Sequence, residues 1–155
     1  IRMKQRVHEP LTLSMGQLLA DRVRQRLADA PPDLLAPVPS YWIKRLWRGF
    51  NGPDLLVEAL GRRLGLPVAD DLLVCRRRTQ KQGTLMPTER AANVRDAFAF
   101  NPDYDIAGSH LLLVDDIMTT GSTASEAARM LRRAGAGRVT VAVVARGVGL
   151  AQRRS

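Results

Sequence analysis

The sequence has one cysteine, Cys75, few aromatic residues and no long apolar run, and each shortage excludes a class of protein. A lone cysteine cannot form an internal disulfide or a four-cysteine metal site within these residues. The longest largely apolar run, residues 139–145, is far shorter than the ~18 residues that read as a membrane span. The first residues are basic and polar and resemble no signal peptide. We therefore expect a cytoplasmic protein without membrane contact.

The composition is that of an ordinary globular domain. The 155 residues are 45% hydrophobic, 25% charged and only 5% aromatic, which predicts a core of leucine, valine and alanine. We expect a single domain over residues 1–155. Within it, residues 1–30 are predicted to form an N-terminal helical segment, and residues 76–87 are too irregular for a strand.

Positive charge is in excess. Lysine and arginine number 24 against 15 aspartates and glutamates, for a net charge of +9, and nearly all the basic residues are arginine. The excess suggests an anionic partner, either nucleic acid or a phosphorylated small molecule. A GC-rich genome, whose codons favour arginine, is the alternative explanation for the arginine bias.

Short apolar runs alternate with amphipathic segments, which is the pattern of βαβ units. The first helix is expected to start near Ser14 as N-cap and to bury Leu18 and Val23. The predicted helices span residues 14–28, 52–65, 88–97 and 122–133, and the predicted strands span residues 34–39, 71–75, 97–100, 110–114 and 139–145. The pattern predicts an α/β fold with a mostly parallel sheet.

The most informative stretch is residues 111–123, where an apolar strand ends in Asp115 and Asp116 and a polar loop leads into a helix. Ligands of open α/β sheets bind outside the carboxyl ends of the strands, so this loop lies where a ligand is expected. Backbone N–H groups around Gly121 and the N-terminus of the next helix favour a phosphate. The predicted phosphate-binding residues are Met118, Thr119, Thr120, Gly121, Ser122 and Thr123.

The paired acids narrow the range of ligands that this loop can bind. The loop has no lysine where a P-loop requires one, so hydrolysis of a nucleoside triphosphate is disfavoured. Two carboxylates would repel an anion unless they met hydroxyl groups or a divalent cation. A ribose 5-phosphate meets both needs, with vicinal hydroxyls for Asp115 and Asp116 and a phosphate for the loop. The alternative is a strand-end turn with a helix cap, which needs only one such residue.

This stretch resembles the ribose-phosphate signature of the type I phosphoribosyltransferases. The resemblance implies a three-layer fold with a flexible hood loop, and displacement of pyrophosphate from phosphoribosyl pyrophosphate by a nitrogen nucleophile. Asp115 and Asp116 would then be catalytic, because carboxylates stabilise the positive charge that develops on the ribose. Mg²⁺ would accompany the pyrophosphate, and the same two acids would contact it through water.

Other residues resemble the ComF/GntX group of that family. They are Pro37-Val38-Pro39, the Arg-Gly-Phe-Asn run at residues 48–51, Gln80, Gln82, Leu85, Arg90, Asn93 and Phe98. The group is associated with bacterial competence and DNA uptake, so DNA or the competence machinery is an implied partner, alongside phosphoribosyl pyrophosphate and a nitrogen-containing acceptor. A homodimer is a further implication. The group usually carries an N-terminal four-cysteine zinc ribbon, which these residues lack, so no zinc is expected.

Two basic stretches complete the predicted site. Arg45 and Arg48 follow the first strand and are candidates for binding pyrophosphate, since guanidinium groups match phosphate oxygens; solvated loop charges are the alternative. The resemblance also implies that residues 76–93 form the mobile hood loop, which contributes Arg78, Gln80, Lys81, Gln82 and Arg90 to the predicted site. Three interpretations of the hood stay open: a lid that excludes water, a grip on a nucleic-acid backbone, or a solvated loop.

The sequence thus supports two hypotheses. The first is a phosphoribosyltransferase, with the acceptor unidentified. The second is a non-catalytic module that keeps the ribose-phosphate pocket and acts in DNA uptake through its basic surface. His110, at the start of a buried strand, is expected to be structural rather than catalytic.

Overall fold

The apolar run that begins at His110 forms the middle strand of a three-stranded parallel sheet. The computed structural model describes residues 9–39, 52–76 and 94–147. In chain order the elements are α1 (Glu9–Arg26), β1 (Leu34–Pro37), α2 (Gly52–Leu64), β2 (Leu73–Cys75), β3 (Phe98–Phe100), β4 (His110–Met118), α3 (Ser122–Arg133) and β5 (Arg138–Arg146). The sheet order is β1-β4-β5. Because the strands are parallel, their carboxyl ends meet at one edge.

Helices cover both faces of this sheet. Successive residues of a strand point to opposite faces, so Leu112 and Val114 pack in the cluster that contains α1 and α2, whereas Leu111 and Leu113 pack in the cluster that contains α3. All four side chains are completely buried. The predicted three-layer α/β arrangement with a parallel sheet is therefore confirmed.

The first helix differs from its prediction in two respects. It begins at Glu9, five residues before Ser14, so Ser14 is not its N-cap. Leu18 is 70% exposed, whereas Ala20 and Val23 are buried. The reason is the position of α2: a Cβ on Gly16 would lie 2.8 Å from the Ala59 side chain, so the helices approach closely at Gly16 and α1 turns that face inward.

The strands β2 and β3 form an antiparallel pair, with Leu73 opposite Phe100. The prediction of a mostly parallel sheet did not include this antiparallel pair. Of the predicted helix at residues 88–97, only residues 94–97 are described. Val94 is helical, but residues 95 and 96 form a turn and the Ala97 N–H bonds to the Val94 carbonyl, so the helix ends earlier than predicted. No helix in the described part of the chain is long and apolar enough to cross a membrane.

His110 joins three segments at the start of β4. Its ring Nδ1 lies 3.1 Å from the Pro31 carbonyl oxygen, and its Nε2 lies 2.8 Å from the Thr140 hydroxyl. A carbonyl only accepts, so Nδ1 carries a proton, and in the tautomer with that single proton Nε2 accepts from the Thr140 hydroxyl. The backbone N–H of His110 also donates to the Asp33 carboxylate at 2.7 Å. These contacts support the structural role expected for His110.

Candidate functional site

Strand β4 carries the paired acids to the carboxyl edge of the sheet. The strand continues to Met118, so Asp115 and Asp116 lie within it. The predicted strand ended at Val114, before both acids. Pairing with β5 explains the extension, since Asp115 is opposite Val143 and Ile117 is opposite Ala145. Residues up to Val114 are buried, and Asp116 is exposed. The transition from core to solvent therefore occurs at the two acids.

The two carboxylates differ in their surroundings. Asp115 lies on the side of β4 that faces α3, because it lines a small pocket with Ile117 and Thr119. Asp116, the next residue along the strand, points to the opposite side. Each carboxylate accepts a bond from the backbone N–H that follows it, Asp115 from Asp116 at 2.9 Å and Asp116 from Ile117 at 2.8 Å. Asp115 is thus the acid nearer the loop.

The loop after β4 turns on Gly121. This residue has φ 78° and ψ 1°, the left-handed conformation that glycine adopts without steric cost. It is the N-cap of α3 and has no side-chain capping bond, so this is not the ordinary serine or threonine cap. The first turn of α3 contains no acidic residue. The positive end of the helix dipole therefore faces the loop without a neighbouring carboxylate from its own first turn.

The predicted phosphate-binding residues lie together around this turn. The Thr120 and Ser122 hydroxyl oxygens are 2.9 Å apart, and Ser122 N–H lies 3.4 Å from Thr120 Oγ1. The pocket beside them is lined by Asp115, Ile117, Met118, Thr119, Gly121, Thr123 and Ala124. Small hydroxyl side chains and backbone N–H groups at a helix N-terminus form a concave anion-binding surface. The arrangement suits a phosphate held beside one carboxylate.

The other predicted site residues lie outside the described part of the chain. They are Arg45 and Arg48 after β1, and Arg78, Gln80, Lys81, Gln82 and Arg90 in the hood region. The described end of β1 does border the site, since Val38 N–H donates to the Val114 carbonyl at 2.8 Å.

Two residues of the site were missed by the sequence analysis. Ile117 is 57% exposed although it belongs to a strand, and it lines the pocket with Asp115. Gly147 follows β5, and its N–H donates to the Met118 carbonyl at 2.9 Å. An isoleucine directly after two acids at a predicted ligand edge was the available signal for the first. Nothing in the sequence indicates the second, because the contact joins residues 29 positions apart.

A partly buried ion-pair network lies beside the loop on α3. Glu126 is only 9% exposed and accepts two bonds from Arg129, to Oε2 at 2.8 Å and to Oε1 at 2.5 Å. It also accepts the Asp96 backbone N–H at 2.8 Å, and Arg129 donates to the Asp96 carboxylate at 2.7 Å. The hydrogen bonds from Arg129 lower the pKa of Glu126, against the effect of burial. The bonds to Glu126 and Asp96 raise the pKa of Arg129.

The carboxylates do not by themselves make a metal site. Among residues 9–39, 52–76 and 94–147, no three histidine, cysteine, aspartate or glutamate side chains converge on one point. Carboxylate oxygens are ligands that Mg²⁺ accepts, but Mg²⁺ usually takes its remaining ligands from water and substrate phosphates. At this site the described residues therefore offer a metal ion at most the oxygens of Asp115 and Asp116, and its other ligands would come from water and a bound phosphate.

The sequence matches the phosphoribosyl transferase domain family over residues 55–154. The chain therefore belongs to this family. The match includes β4, the loop at Gly121 and α3, which are the elements that form the candidate site.

Curated relatives place the chain near proteins named for competence. It is 39% identical over 111 residues to the DNA utilization protein YhgH of Escherichia coli K12, across 71% of this chain and 48% of that protein. It is 33% identical over 116 residues to competence protein F of Haemophilus influenzae Rd, across 74% of this chain and 51% of that protein. The resemblance to the ComF group is thus confirmed. The chain spans about half the length of these relatives.

Solved structures agree on the fold. A Trypanosoma cruzi hypoxanthine phosphoribosyltransferase superposes with a TM-score of 0.56 at 15% identity, covering 91% of this chain and 76% of that one. The Bacillus subtilis glutamine phosphoribosylpyrophosphate amidotransferase gives 0.55 at 22% identity, covering 85% of this chain and 26% of that one. At such identities the likeness shows the type I phosphoribosyltransferase fold and not the substrate.

Proposed function

We propose that this domain binds phosphoribosyl pyrophosphate and transfers its ribose 5-phosphate group to a nitrogen acceptor, releasing pyrophosphate. One observation carries the proposal: Asp115 and Asp116 lie near the carboxyl end of β4, and the Gly121 turn that opens α3 follows that strand. A phosphate-binding surface next to carboxylates matches a sugar phosphate better than a nucleotide polyphosphate. Membership of the phosphoribosyl transferase domain family supports the same ligand.

The proposed reaction breaks the bond between the ribose C1 and the pyrophosphate oxygen and forms a bond from C1 to the acceptor nitrogen, which loses a proton. The loop around Gly121 would hold the 5-phosphate and so fix the position of the ribose. The carboxylates would stabilise positive charge on the ring as the leaving group departs. Asp115, which faces the loop pocket, is the first candidate for this role.

We further propose that Mg²⁺ enters with the pyrophosphate group, with Asp115 and Asp116 contacting it through water. Such an ion would neutralise charge on the leaving pyrophosphate. The absence of a three-ligand cluster in the described residues is consistent with an ion held mainly by the ligand. Removal of Mg²⁺ with a chelator is therefore expected to weaken binding of phosphoribosyl pyrophosphate while leaving the fold intact.

The direct test is calorimetric titration of phosphoribosyl pyrophosphate with Mg²⁺. The wild type is expected to bind with micromolar affinity, and the Asp115→Asn/Asp116→Asn variant is expected to lose that binding. The matched control is Asp29→Asn/Asp103→Asn, which removes two exposed carboxylates outside the site. If the folded wild type does not bind, the proposal is wrong. If it binds, pyrophosphate release in a screen of amines and nucleobases identifies the acceptor.

A second candidate function is a non-catalytic module that acts in DNA uptake through a basic surface. The names of the relatives favour it, as do four exposed arginines in the last turns of α1 and α2: Arg24, Arg26, Arg62 and Arg63. The two helix ends are adjacent, since Arg24 donates to the Arg63 carbonyl at 2.8 Å. Contacts to phosphates make affinity fall steeply with salt and depend little on base sequence.

Fluorescence anisotropy with single-stranded oligonucleotides tests this candidate. An Arg26→Gln/Arg62→Gln variant is expected to bind more weakly and with a shallower salt dependence than the wild type. DNA binding without any pyrophosphate release would favour the module, whereas turnover without DNA binding would favour the enzyme.

A further inference from the structure

Strand β5 lies at the edge of the parallel sheet, because the strand order is β1-β4-β5. The Gly147 N–H donates to the Met118 carbonyl of β4. Backbone groups of successive strand residues point to alternate sides, so the N–H and C=O groups of Thr140, Ala142 and Val144 point away from β4. In the part of the chain that the structure describes, β4 is the one strand that pairs with β5, and no other backbone group bonds to these three residues. β5 therefore presents a row of donors and acceptors that no second strand uses.

This edge lacks the features that usually protect an edge strand. Natural edge strands are short or carry charged side chains, proline or a bulge. β5 has nine residues, and its interior, residues 139–145, contains no charged residue, proline or glycine. Its pairing with β4 keeps one register from Arg138 to Arg146, so no bulge interrupts it. Most of the interior residues are only half-buried. Such an edge is well suited to pair with another strand.

Positive charge lies at both ends of the edge. Arg138 begins β5 and Arg146 ends it, and both side chains are exposed. Because side chains alternate along a strand, these arginines share one face with Ala142 and Val144. Ala142 and Val144 pack in the cluster that contains α1 and α2. Both arginines therefore lie on the face of the sheet that α1 covers.

Helix α1 adds two arginines above the same edge. α1 packs on β5, whereas α2 packs on β1 and β4. Arg24 points toward α2, since it donates to the Arg63 carbonyl at 2.8 Å. Residues two positions apart on a helix point in directions about 200° apart. Arg22 and Arg26, which are both exposed, therefore point away from α2, on the side of α1 above the free edge of β5.

Acidic residues do not offset these four edge arginines. Asp21 lies on the other side of α1, where its carboxylate is 4.0 Å from Arg24 and 3.6 Å from Arg63. Residues 138–147 contain no aspartate or glutamate. Asp29, after the end of α1, is the one further acid close to them in sequence. The free edge of β5 is therefore bordered by an excess of positive charge.

The chemistry of the edge distinguishes three possible occupants. N–H and C=O groups at strand spacing match an extended polypeptide, whereas a nucleic-acid backbone has no N–H groups to pair with the carbonyls. A second copy of this chain would bring the edge arginines against their own counterparts, because a twofold interface places a patch against itself. Like charges that face each other across paired strands are destabilising. An extended segment with acidic side chains matches both the backbone groups and the charge.

We propose that the free edge of β5 binds an extended acidic segment of a partner protein, which adds to the sheet as a further strand. Its carboxylates would face the edge arginines, Arg22, Arg26, Arg138 and Arg146. Main-chain hydrogen bonds would supply affinity, and the alternation of its side chains would supply specificity. The proposal goes beyond the transfer reaction and does not depend on it.

The probe is a fluorescein-labelled peptide as long as β5, with blocked ends, in which glutamate alternates with valine. The alternation places every glutamate on one face of the added strand. Fluorescence anisotropy with the whole chain is expected to show saturable binding. Arg22→Gln/Arg138→Gln should weaken it by about fivefold, as expected for the loss of two exposed ion pairs. The matched control is Arg62→Gln/Arg76→Gln, which removes the same charge from exposed positions on α2 and after β2 and should leave the affinity unchanged.

Amide hydrogen exchange followed by NMR distinguishes strand addition from attraction between charges. On peptide binding, exchange at Thr140, Ala142 and Val144 should slow by about tenfold or more, because their N–H groups gain acceptors. The N–H groups of Val141 and Val143 already point toward β4, so their exchange should change little. A peptide of the same sequence with every backbone nitrogen methylated keeps the charge but has no donors, and it should not bind measurably.

The proposal fails if exchange at the three outward amides does not change, if the methylated peptide binds as tightly, or if the control variant weakens binding as much as Arg22→Gln/Arg138→Gln. Analytical ultracentrifugation of the chain without peptide tests the second copy. A dimer that protects the same three amides would assign the edge to self-association and overturn the proposal. Displacement of the peptide from these amides by a single-stranded oligonucleotide would assign the edge to nucleic acid and overturn it equally.

Discussion

Gly147 and Met118 join the ends of two neighbouring strands, since the Gly147 N–H donates to the Met118 carbonyl at 2.9 Å. The bond lies at the first residue of the phosphate loop. A Cβ on Gly147 would lie 3.0 Å from the Thr119 Cγ2 atom. The Thr119 side chain therefore packs against Gly147, and a side chain at position 147 would displace it.

Gly147→Val is expected to weaken phosphoribosyl pyrophosphate binding by about tenfold, equivalent to about 1.4 kcal/mol. The added side chain would push Thr119 and so misplace the loop. Calorimetric titration measures the change. Gly108→Ala is the control. A Cβ at Gly108 would have no atom within 4 Å, but the φ of 71° strains an alanine, so this substitution should lower stability without changing the affinity for phosphoribosyl pyrophosphate. Equal affinity in wild type and Gly147→Val would contradict this prediction.

Leu60 and Leu18 are a matched pair on adjacent helices. Leu60 is completely buried and Leu18 is 70% exposed. Leu60→Ala should therefore lower the free energy of unfolding by about 2–5 kcal/mol, whereas Leu18→Ala should change it by less than about 0.5 kcal/mol. Urea denaturation of the two variants compares them. Similar losses would show that α1 buries Leu18 after all.

Thr140→Val removes the hydroxyl that donates to His110 Nε2 at 2.8 Å. His110 is 8% exposed, so its Nε2 atom would lose its hydrogen-bond partner at a position that water hardly reaches. The expected loss of stability is about 1–3 kcal/mol. Ligand binding should be unchanged, because His110 begins β4 and Thr140 lies opposite Leu112 on β5, both toward the amino ends of their strands and away from the acids. A weakened affinity for phosphoribosyl pyrophosphate would argue against a purely structural role for His110.

Protonation of Glu126 is expected to lower the free energy of unfolding in acid. Its hydrogen bonds with Arg129 lower its pKa below the usual 4.5. A carboxyl group whose pKa is lower in the folded state contributes stability that is complete above its unfolded pKa and is lost as pH falls through the folded value. Glu126→Gln removes this titration, so its stability should decline less steeply than that of the wild type below about pH 4.5.

Urea denaturation at pH 6, 5, 4 and 3 measures the two slopes. Leu18→Ala, which changes an exposed side chain and no ionisable group, is the control and should follow the wild type. Parallel declines in wild type and Glu126→Gln would show that the network makes no net contribution to acid stability.

Much of the candidate site was predictable because its signal is local. The apolar run at residues 111–114, the two acids and the loop from Met118 to Thr123 are contiguous, and a strand, a turn and a helix N-terminus follow from that order of residue types. The boundary of β4 was predicted too early. Pairing with β5 adds backbone bonds past the acids, and that gain depends on residues 28 positions away.

The contacts that the sequence did not reveal all join distant segments. The position of α2 decides that Gly16 faces inward and that Leu18 remains exposed. The antiparallel pairing of β2 with β3 and the hydrogen bond from the Asp96 N–H to the Glu126 carboxylate likewise have no local signal.

The sequence by itself determined the alternation of strands and helices and the order of acids, hydroxyl residues and glycine that follows the apolar run of β4, because both depend on residues close together in the chain. The tertiary structure decided which face of α1 is buried, where Glu126 finds its partners and that β5 lies at the edge of the sheet. These features depend on how packed elements meet, since burial and ion pairing reward proximity in space irrespective of distance along the chain.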